Sequence, residues 1–112
     1  MMTEISEKIL NKKVVGIYNN FIEQTLELSF EDNCIIKFNQ CAIVFDLGIV
    51  GHTVSFISFN GTLGIALELK KMKLNPEEYN YLLISRDIED YENKNELLIS
   101  YKKLEVIKIE NS

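Results

Sequence analysis

The 112-residue chain is poor in the groups that covalent and metal chemistry need. It holds one histidine, His52, so any Ser-His-Asp or Cys-His arrangement must pass through that residue, and no Gly-x-Ser-x-Gly elbow is present to carry a nucleophile. A lone histidine at a strand end is ordinarily a structural hydrogen-bonder. Cys34 and Cys41 are the only cysteines, with no histidine or third cysteine at ligand spacing. In the register deduced below they sit about four residues apart along the sheet, roughly 13 Å, whereas a disulfide spans about 7 Å between Cα atoms. Two buried free thiols are expected, with no metal and no cofactor. Gly48 and Gly51 lack the Lys-Ser or Lys-Thr of a phosphate loop and read as a corner of the backbone.

Bases are scarce relative to acids: twelve against seventeen, a net charge of −5. Phosphate-gripping surfaces work by counterion release from clustered Lys and Arg. The one such cluster here, Lys70, Lys71 and Lys73, has no aromatic platform beside it and reads as a solvated strand end, so nucleic acid is not an expected partner. No apolar run approaches the roughly 20 residues that cross a bilayer, and the opening residues are acidic where a secretory signal is basic and then apolar. A cytoplasmic protein without membrane contact is the expectation. With no linker, low-complexity tract or repeat, residues 1–112 read as a single domain. Asn60-Gly61-Thr62 matches a glycosylation sequon and reads only as a turn.

What the chain does have is alternation. Leu26, Leu28 and Phe30 interleave with Thr25, Glu27 and Ser29, a strand with one dry face. Glu31-Asp32-Asn33 then reverses the chain, and pairing Phe30 with Cys34 sets Leu28 against Ile36 and Leu26 against Phe38. A second reversal at Asn39-Gln40, without the glycine that a tight hairpin prefers, would pair Ile36 with Ile43 and Cys34 with Phe45. Leu26, Leu28, Phe30, Cys34, Ile36, Phe38, Cys41, Ile43 and Phe45 then share one face of a three-stranded meander over 25–46.

Around that meander, Thr3 caps a short helix presenting Ile5, Ile9 and Leu10. A strand follows over Val14 to Tyr18, with Val15 and Ile17 on one face. Asn60-Gly61 predicts a hairpin between Thr53 to Phe59 and Thr62 to Leu69, with His52, Val54, Phe56 and Ser58 facing one way. Asn75-Pro76-Glu77-Glu78 is a helix start. Its continuation fits either a helix or a single turn followed by a strand to Arg86; a turn plus strand is expected, because Glu96 to Tyr101 offers a partner. Asp87 to Asn95 becomes the hairpin loop, and Leu104 to Ile109, with interleaved charges, suits a sheet edge. The predicted fold is mainly β (α+β), an antiparallel meander forming a small barrel or strongly bent sheet, with a short N-terminal helix and a helical turn near Pro76.

The most conspicuous charged feature is Asp87, Glu89, Asp90 and Glu92 with Glu96 just beyond, and Tyr91 among them. The regular ligands and central glycine of a calcium loop are missing. The functional expectation is therefore a non-catalytic interaction module, of the immunity or inhibitor type, that binds a basic protein through Asp87, Glu89, Asp90, Tyr91, Glu92 and Glu96. Tyr79, Tyr81 and Tyr101 lie in the same third of the chain and would add contacts for a cationic partner. A second copy could associate through a sheet edge or through a half-apolar sheet face. Two alternatives are a β-barrel holding a small apolar ligand among Phe38, Phe45 and Phe56, and a small enzyme using His52 with a carboxylate.

Overall fold

Alternation settles the first hairpin as expected. In the computed structural model, which describes residues 2–59, 63–86 and 95–108, strand β2 (Thr25–Phe30) pairs antiparallel with β3 (Ile35–Asn39), Leu28 facing Ile36 and Leu26 facing Phe38. Asn33 takes a positive φ of 64°, which asparagine tolerates, and the Phe30 N–H donates to the Cys34 carbonyl at 2.9 Å. Asp32 Oδ1 accepts from the Cys34 N–H, and Asp32 also meets Lys12 at 2.9 Å. The hydrogen bond from Lys12 holds the Asp32 carboxyl below its usual range.

The second reversal is not a hairpin. Gln40 adopts φ 54° and turns the chain out of the first sheet, so β4 (Ile43–Leu47) does not return along β3. The partner of β3 is β8 (Lys103–Lys108), Phe38 facing Leu104, while β4 pairs with β7 (Glu96–Tyr101), Phe45 facing Leu98. Without glycine at Asn39-Gln40 the tight reversal was the weaker use of those residues. Seven of the nine side chains predicted for one wall are buried in the core between the sheets; Ile43 and Phe45 lie on the outer face of the second sheet, Ile43 buried with Leu69 and Phe45 45% exposed.

Two antiparallel four-stranded sheets result. One runs β1 (Val14–Asn20), β2, β3, β8; the other runs β4, β7, β6 (Asn80–Ser85), β5 (Phe56–Phe59). The chain is mainly β, and no closed barrel forms among the described residues. The sheets share a bent two-stranded ribbon: β3 continues into β4 and β7 into β8, and the corner is stitched by Lys102 N–H to Asn39 O (3.0 Å) and Ala42 N–H to Ser100 O (3.1 Å). Strands that change sheet at a bend are the usual means of making a corner between packed sheets. The Lys102 ammonium lies 5.1 Å from the Tyr79 ring centre and 3.6 Å from Glu78. Those two residues belong to, and directly follow, the 3-10 turn Pro76–Glu78, whose Asn75 cap accepts from the Glu77 N–H at 3.1 Å. The expected turn near Pro76, the strand after it and an edge position for β8 are all present.

The core lies between the sheets, where Leu26, Leu28, Ile36 and Phe38 meet Leu82, Ile84, Leu97, Ile99 and Tyr101. Helix α1 (Met2–Ile9) adds Ile5 and Ile9; Leu10, past its end, is exposed, and the helix starts before Thr3, which is thus not its cap. An extra residue in β1 between Val14 and Gly16 lets Val14 and Ile17 both reach the core and turns Val15 outward, correcting the face assigned from simple alternation. The start of β1 pairs with residues 52–54, Val14 N–H donating to His52 O at 3.0 Å and Asn11 N–H to Val54 O at 2.8 Å. Gly51 (φ 92°) and Gly48 (φ 87°) make the corner expected of them.

The hairpin predicted across Asn60-Gly61 is overturned, although the dipeptide itself lies outside the described residues. Leu63–Lys71 is a helix, α2, and β5 pairs with β6 instead, Ile57 facing Ile84. Leu, Ala, Glu and Lys are strong helix formers, and here that preference prevails over an alternation the segment also satisfies. A Schellman motif ends the helix: Leu74 N–H to Leu69 O at 2.9 Å and Lys73 N–H to Lys70 O at 3.0 Å, with Lys73 at φ 62°. Lys70, Lys71 and Lys73 thus gather at a helix C-terminus, where the dipole favours cations, and not at a strand end. In β5 the faces are also reversed, with Ile57 and Phe59 against the core and Phe56 outside.

Helical geometry separates two leucines that a strand would place together. Leu69 is fully buried while Leu67 is 58% exposed. Leu69→Ala should therefore cost about 2–4 kcal/mol in denaturant unfolding and Leu67→Ala less than about 0.5 kcal/mol. Equal losses at the two positions would contradict the helix.

Candidate functional site

Because Leu82, Ile84, Leu97, Ile99 and Tyr101 face the core, their neighbours along β6 and β7 face outward. The register arranges this outer face in rows: Ile43, Ser100 and Tyr81; then Phe45, Leu98, Leu83 and Ser58; then Leu47, Glu96, Ser85 and Phe56. Helix α2 covers the first row, Leu69 packing with Ile43, Tyr81 and Leu98. Phe45 and Leu47 are exposed on the β4 edge beside Glu96, and Phe56 is exposed on the opposite, β5 edge, with Ser85 buried in the row between Glu96 and Phe56.

Of the six residues expected to bind a partner, only Glu96 is among the described residues. Asp87, Glu89, Asp90, Tyr91 and Glu92 lie outside them. The residues on either side of that segment are fixed at the Glu96 end of the sheet. Arg86 N–H donates to Asn95 O at 3.1 Å, Asn95 Nδ2 donates to Gly48 O at 3.0 Å, and Gly48 N–H donates to Asp46 Oδ1 at 3.0 Å. Gly48 is favoured there by its positive φ, and a Cβ would stand 3.0 Å from Asn95 Nδ2, crowding the side chain that bonds its carbonyl.

His52 takes part through its backbone, its carbonyl accepting from Val14 and its N–H donating to Ile49 O at 3.0 Å; among the described residues no carboxylate bonds its imidazole. No group of three or more His, Cys, Asp or Glu able to hold a metal ion occurs among the described residues. Phe38, Phe45 and Phe56 do not share a cavity, because Phe38 is buried edge-on against Tyr101 (4.9 Å) while the other two lie outside. The tyrosines do not form a free surface either. Tyr101 is core, Tyr79 faces the chain's own Lys102, and the Tyr81 hydroxyl donates to Pro76 O at 2.6 Å.

A feature that alternation does not register is a groove of about 420 Å³ beside β4. Residues 41–45 floor it, Asn19, Phe21 and Gln24 form one wall, and Glu68 and Met72 of the α2 region form the other. At its rim the β1–β2 turn holds Phe21 and Ile22 in solvent, 82% and 95% exposed. The visible sign in the sequence was two large apolar residues inside a turn, between Asn20 and Glu23.

Under that groove Cys41 is buried, its Sγ 3.6 Å from the Phe38 carbonyl, and burial pushes its thiol up to about 11. Burial, and then the charge a Cys41 thiolate would carry, push the Tyr101 phenol up to about 12. Both cysteines are free and buried, as expected. Comparison of the chain with protein-family models, curated proteins and solved structures finds no match.

Raised values for Cys41 and Tyr101 set an alkaline limit on stability. In the unfolded chain these groups ionise near 9 and 10, so their neutral forms stabilise the fold fully below pH 9, and that contribution is lost as pH rises towards about 11 and 12. Denaturant midpoints measured from pH 7 to 12 should fall over this window, and Cys41→Ala with Tyr101→Phe should flatten the fall. A midpoint independent of pH up to 12 would refute this.

Proposed function

We propose that this chain is a non-catalytic protein-interaction module, of the immunity or inhibitor kind, that captures a basic protein partner. The contact would be the acidic segment Asp87, Glu89, Asp90, Tyr91, Glu92 and Glu96 together with the apolar pair Phe45 and Leu47. The observation that carries the reading is the exposure of Phe45 and Leu47 on one face of β4, beside Glu96 of β7. Exposed apolar side chains grouped on one face of a small domain are characteristic of protein contacts, and a ring of like charge selects and steers the partner. The net charge of −5 supports a partner of opposite sign. In this division the apolar pair supplies the lasting contact, and the carboxylates supply speed and choice.

Affinity capture from the source cell, comparing variants, tests it. Wild type should retain a basic protein, with association slowing at least tenfold when ionic strength rises from low to physiological values. Glu89→Lys, Asp90→Lys and Glu92→Lys together should abolish retention, as should Phe45→Asp with Leu47→Asp, while His52→Ala should retain the same protein. Undiminished capture by the triple reversal would reject the acidic surface, and loss of capture in His52→Ala with the fold intact would move the contact to the surface around His52.

A further inference from the structure

The two sheets leave four edges, β1, β8, β4 and β5, and they are not alike. β8 carries Lys103, Glu105 and Lys108, β4 carries Asp46, and β5 is four residues long. Charge and shortness are means by which an open edge is kept from pairing. β1 has neither: its seven residues, Val14–Asn20, are uncharged, as are Phe21 and Ile22 beyond them. We infer that two copies of this chain pair through β1, antiparallel about a twofold axis at Tyr18, and join their first sheets into one.

The backbone sets the register. Phe30 N–H donates to Cys34 O, so by alternation Phe30, Leu28 and Leu26 direct their peptide groups to β3, and Ser29 and Glu27 direct theirs to β1. Gly16 and Tyr18, opposite Ser29 and Glu27, are thereby bonded within the sheet. Ile17 and Asn19, opposite Leu28 and Leu26, turn their N–H and C=O groups to the open edge. The extra residue in β1 does not interrupt this stretch, because it falls at the start of the strand, where Val14 is already engaged by Gly51 and His52. With the axis at Tyr18, Ile17 of each copy faces Asn19 of the other, and the two pairs close with about four hydrogen bonds in all.

Symmetry of the side chains selects a second copy over an unrelated strand. Val15, Tyr18, Phe21 and Ile22 are all exposed, and Val15 and Phe21 stand equally far from Tyr18 along the chain. The rotation sets the two Tyr18 rings against each other and brings Phe21 of each copy beside Val15 of the other. The turn carrying Phe21 is already fixed, since Asn20 Oδ1 accepts from the N–H groups of Ile22 and Glu23, both at 3.1 Å, so docking orders little. Exposed charges of opposite sign bound the stretch, Lys13 before it and Glu23 after it, and antiparallel pairing brings the start of one copy to the finish of the other. Glu31, which accepts the Lys13 N–H at 3.3 Å, lies on the β2 side of the strand. On the outer face Glu27, beside Tyr18, is opposite Lys37, so the seam meets no row of like charge. Among the described strands each copy has a single edge of this kind, so the pairing closes at two. It covers about 1,000 Å² in all, the size of a weak, reversible contact, with a Kd of about 10–100 μM.

Sedimentation equilibrium on the full chain, from about 5 to 500 μM, reads the outcome. Wild type should pass from monomer to dimer and no further. Tyr18→Lys, which sets two ammonium groups against each other at the axis, should remain monomeric with an unchanged far-ultraviolet spectrum, because Tyr18 lies in solvent. Glu23→Lys should weaken the dimer about fivefold, and adding Lys13→Glu should restore it. Oxidation of Tyr18→Cys reads the register: at the axis the two Cα atoms stand about 4.5 Å apart, within disulfide reach, so this variant should cross-link, whereas Glu27→Cys, one strand away, should not. Both native cysteines are buried and stay out of that reaction. A wild type still monomeric at the highest concentration, a Tyr18→Lys variant that dimerises as before, or Glu27→Cys cross-linking as fast as Tyr18→Cys, overturns the inference. Failure here leaves the proposed acidic surface untouched, because capture of a basic protein is read on variants of other residues.

Discussion

Backbone pairing across the corner between the sheets is the constraint from which the remaining structure follows. β3 and β4 on one side and β7 and β8 on the other form one bent ribbon, so each sheet is built outward from the same two chain segments. Once Lys102 is bonded to Asn39 and Ala42 to Ser100, the inner faces of the two halves have no choice but to confront each other. Phe38 then meets Tyr101, and the buried leucines and isoleucines of β2, β6 and β7 fill the space between. The hydrophobic effect supplies the drive, but it is indifferent to direction. Direction comes from the ribbon.

Where local chemistry determined conformation, the sequence was legible. Glu31-Asp32-Asn33 contains a residue tolerant of positive φ at the position that needs it, and Asn75-Pro76 combines a cap with a fixed φ; both elements and the strands beside them were read correctly. Errors arose where two readings were locally equivalent. The leucines of α2 satisfy alternation and helical spacing alike, and only burial of Leu69 without Leu67 separates them. Gln40 could serve a hairpin or a corner, and the choice depends on β8, more than sixty residues away, which no local pattern announces. The single extra residue in β1 reverses a face without any change in composition. Of the candidate site, the sequence exposed the charges but not their setting, since Phe45 and Leu47 come beside Glu96 only after β4 and β7 are placed side by side.

The two faces of the second sheet divide the molecule's work. One is sealed in the core. The other is shared between α2, which packs on Ile43 and Leu98, and a far end where Arg86 bonds Asn95 and Phe45 and Leu47 are exposed on the β4 edge. The Schellman turn at Lys73, a left-handed position filled by a residue with a Cβ, ends α2 and returns the chain through Leu74 to the cluster around Leu69 and Ile43.

The shared ribbon also fixes the order in which a nascent chain acquires its shape. Residues 96–108 complete both sheets, yet they leave the ribosome after every other strand described, and their partners in β3 and β4 have by then waited through the synthesis of some fifty residues. During that interval the hairpin of β2 and β3 has one wet edge where β8 will lie, and its apolar face lacks Leu97, Ile99 and Tyr101. Such a chain is slow by topology and exposed to its own kind while it is made, and the lysines that end β8, the edge that completes the first sheet, arrive only with the last strand.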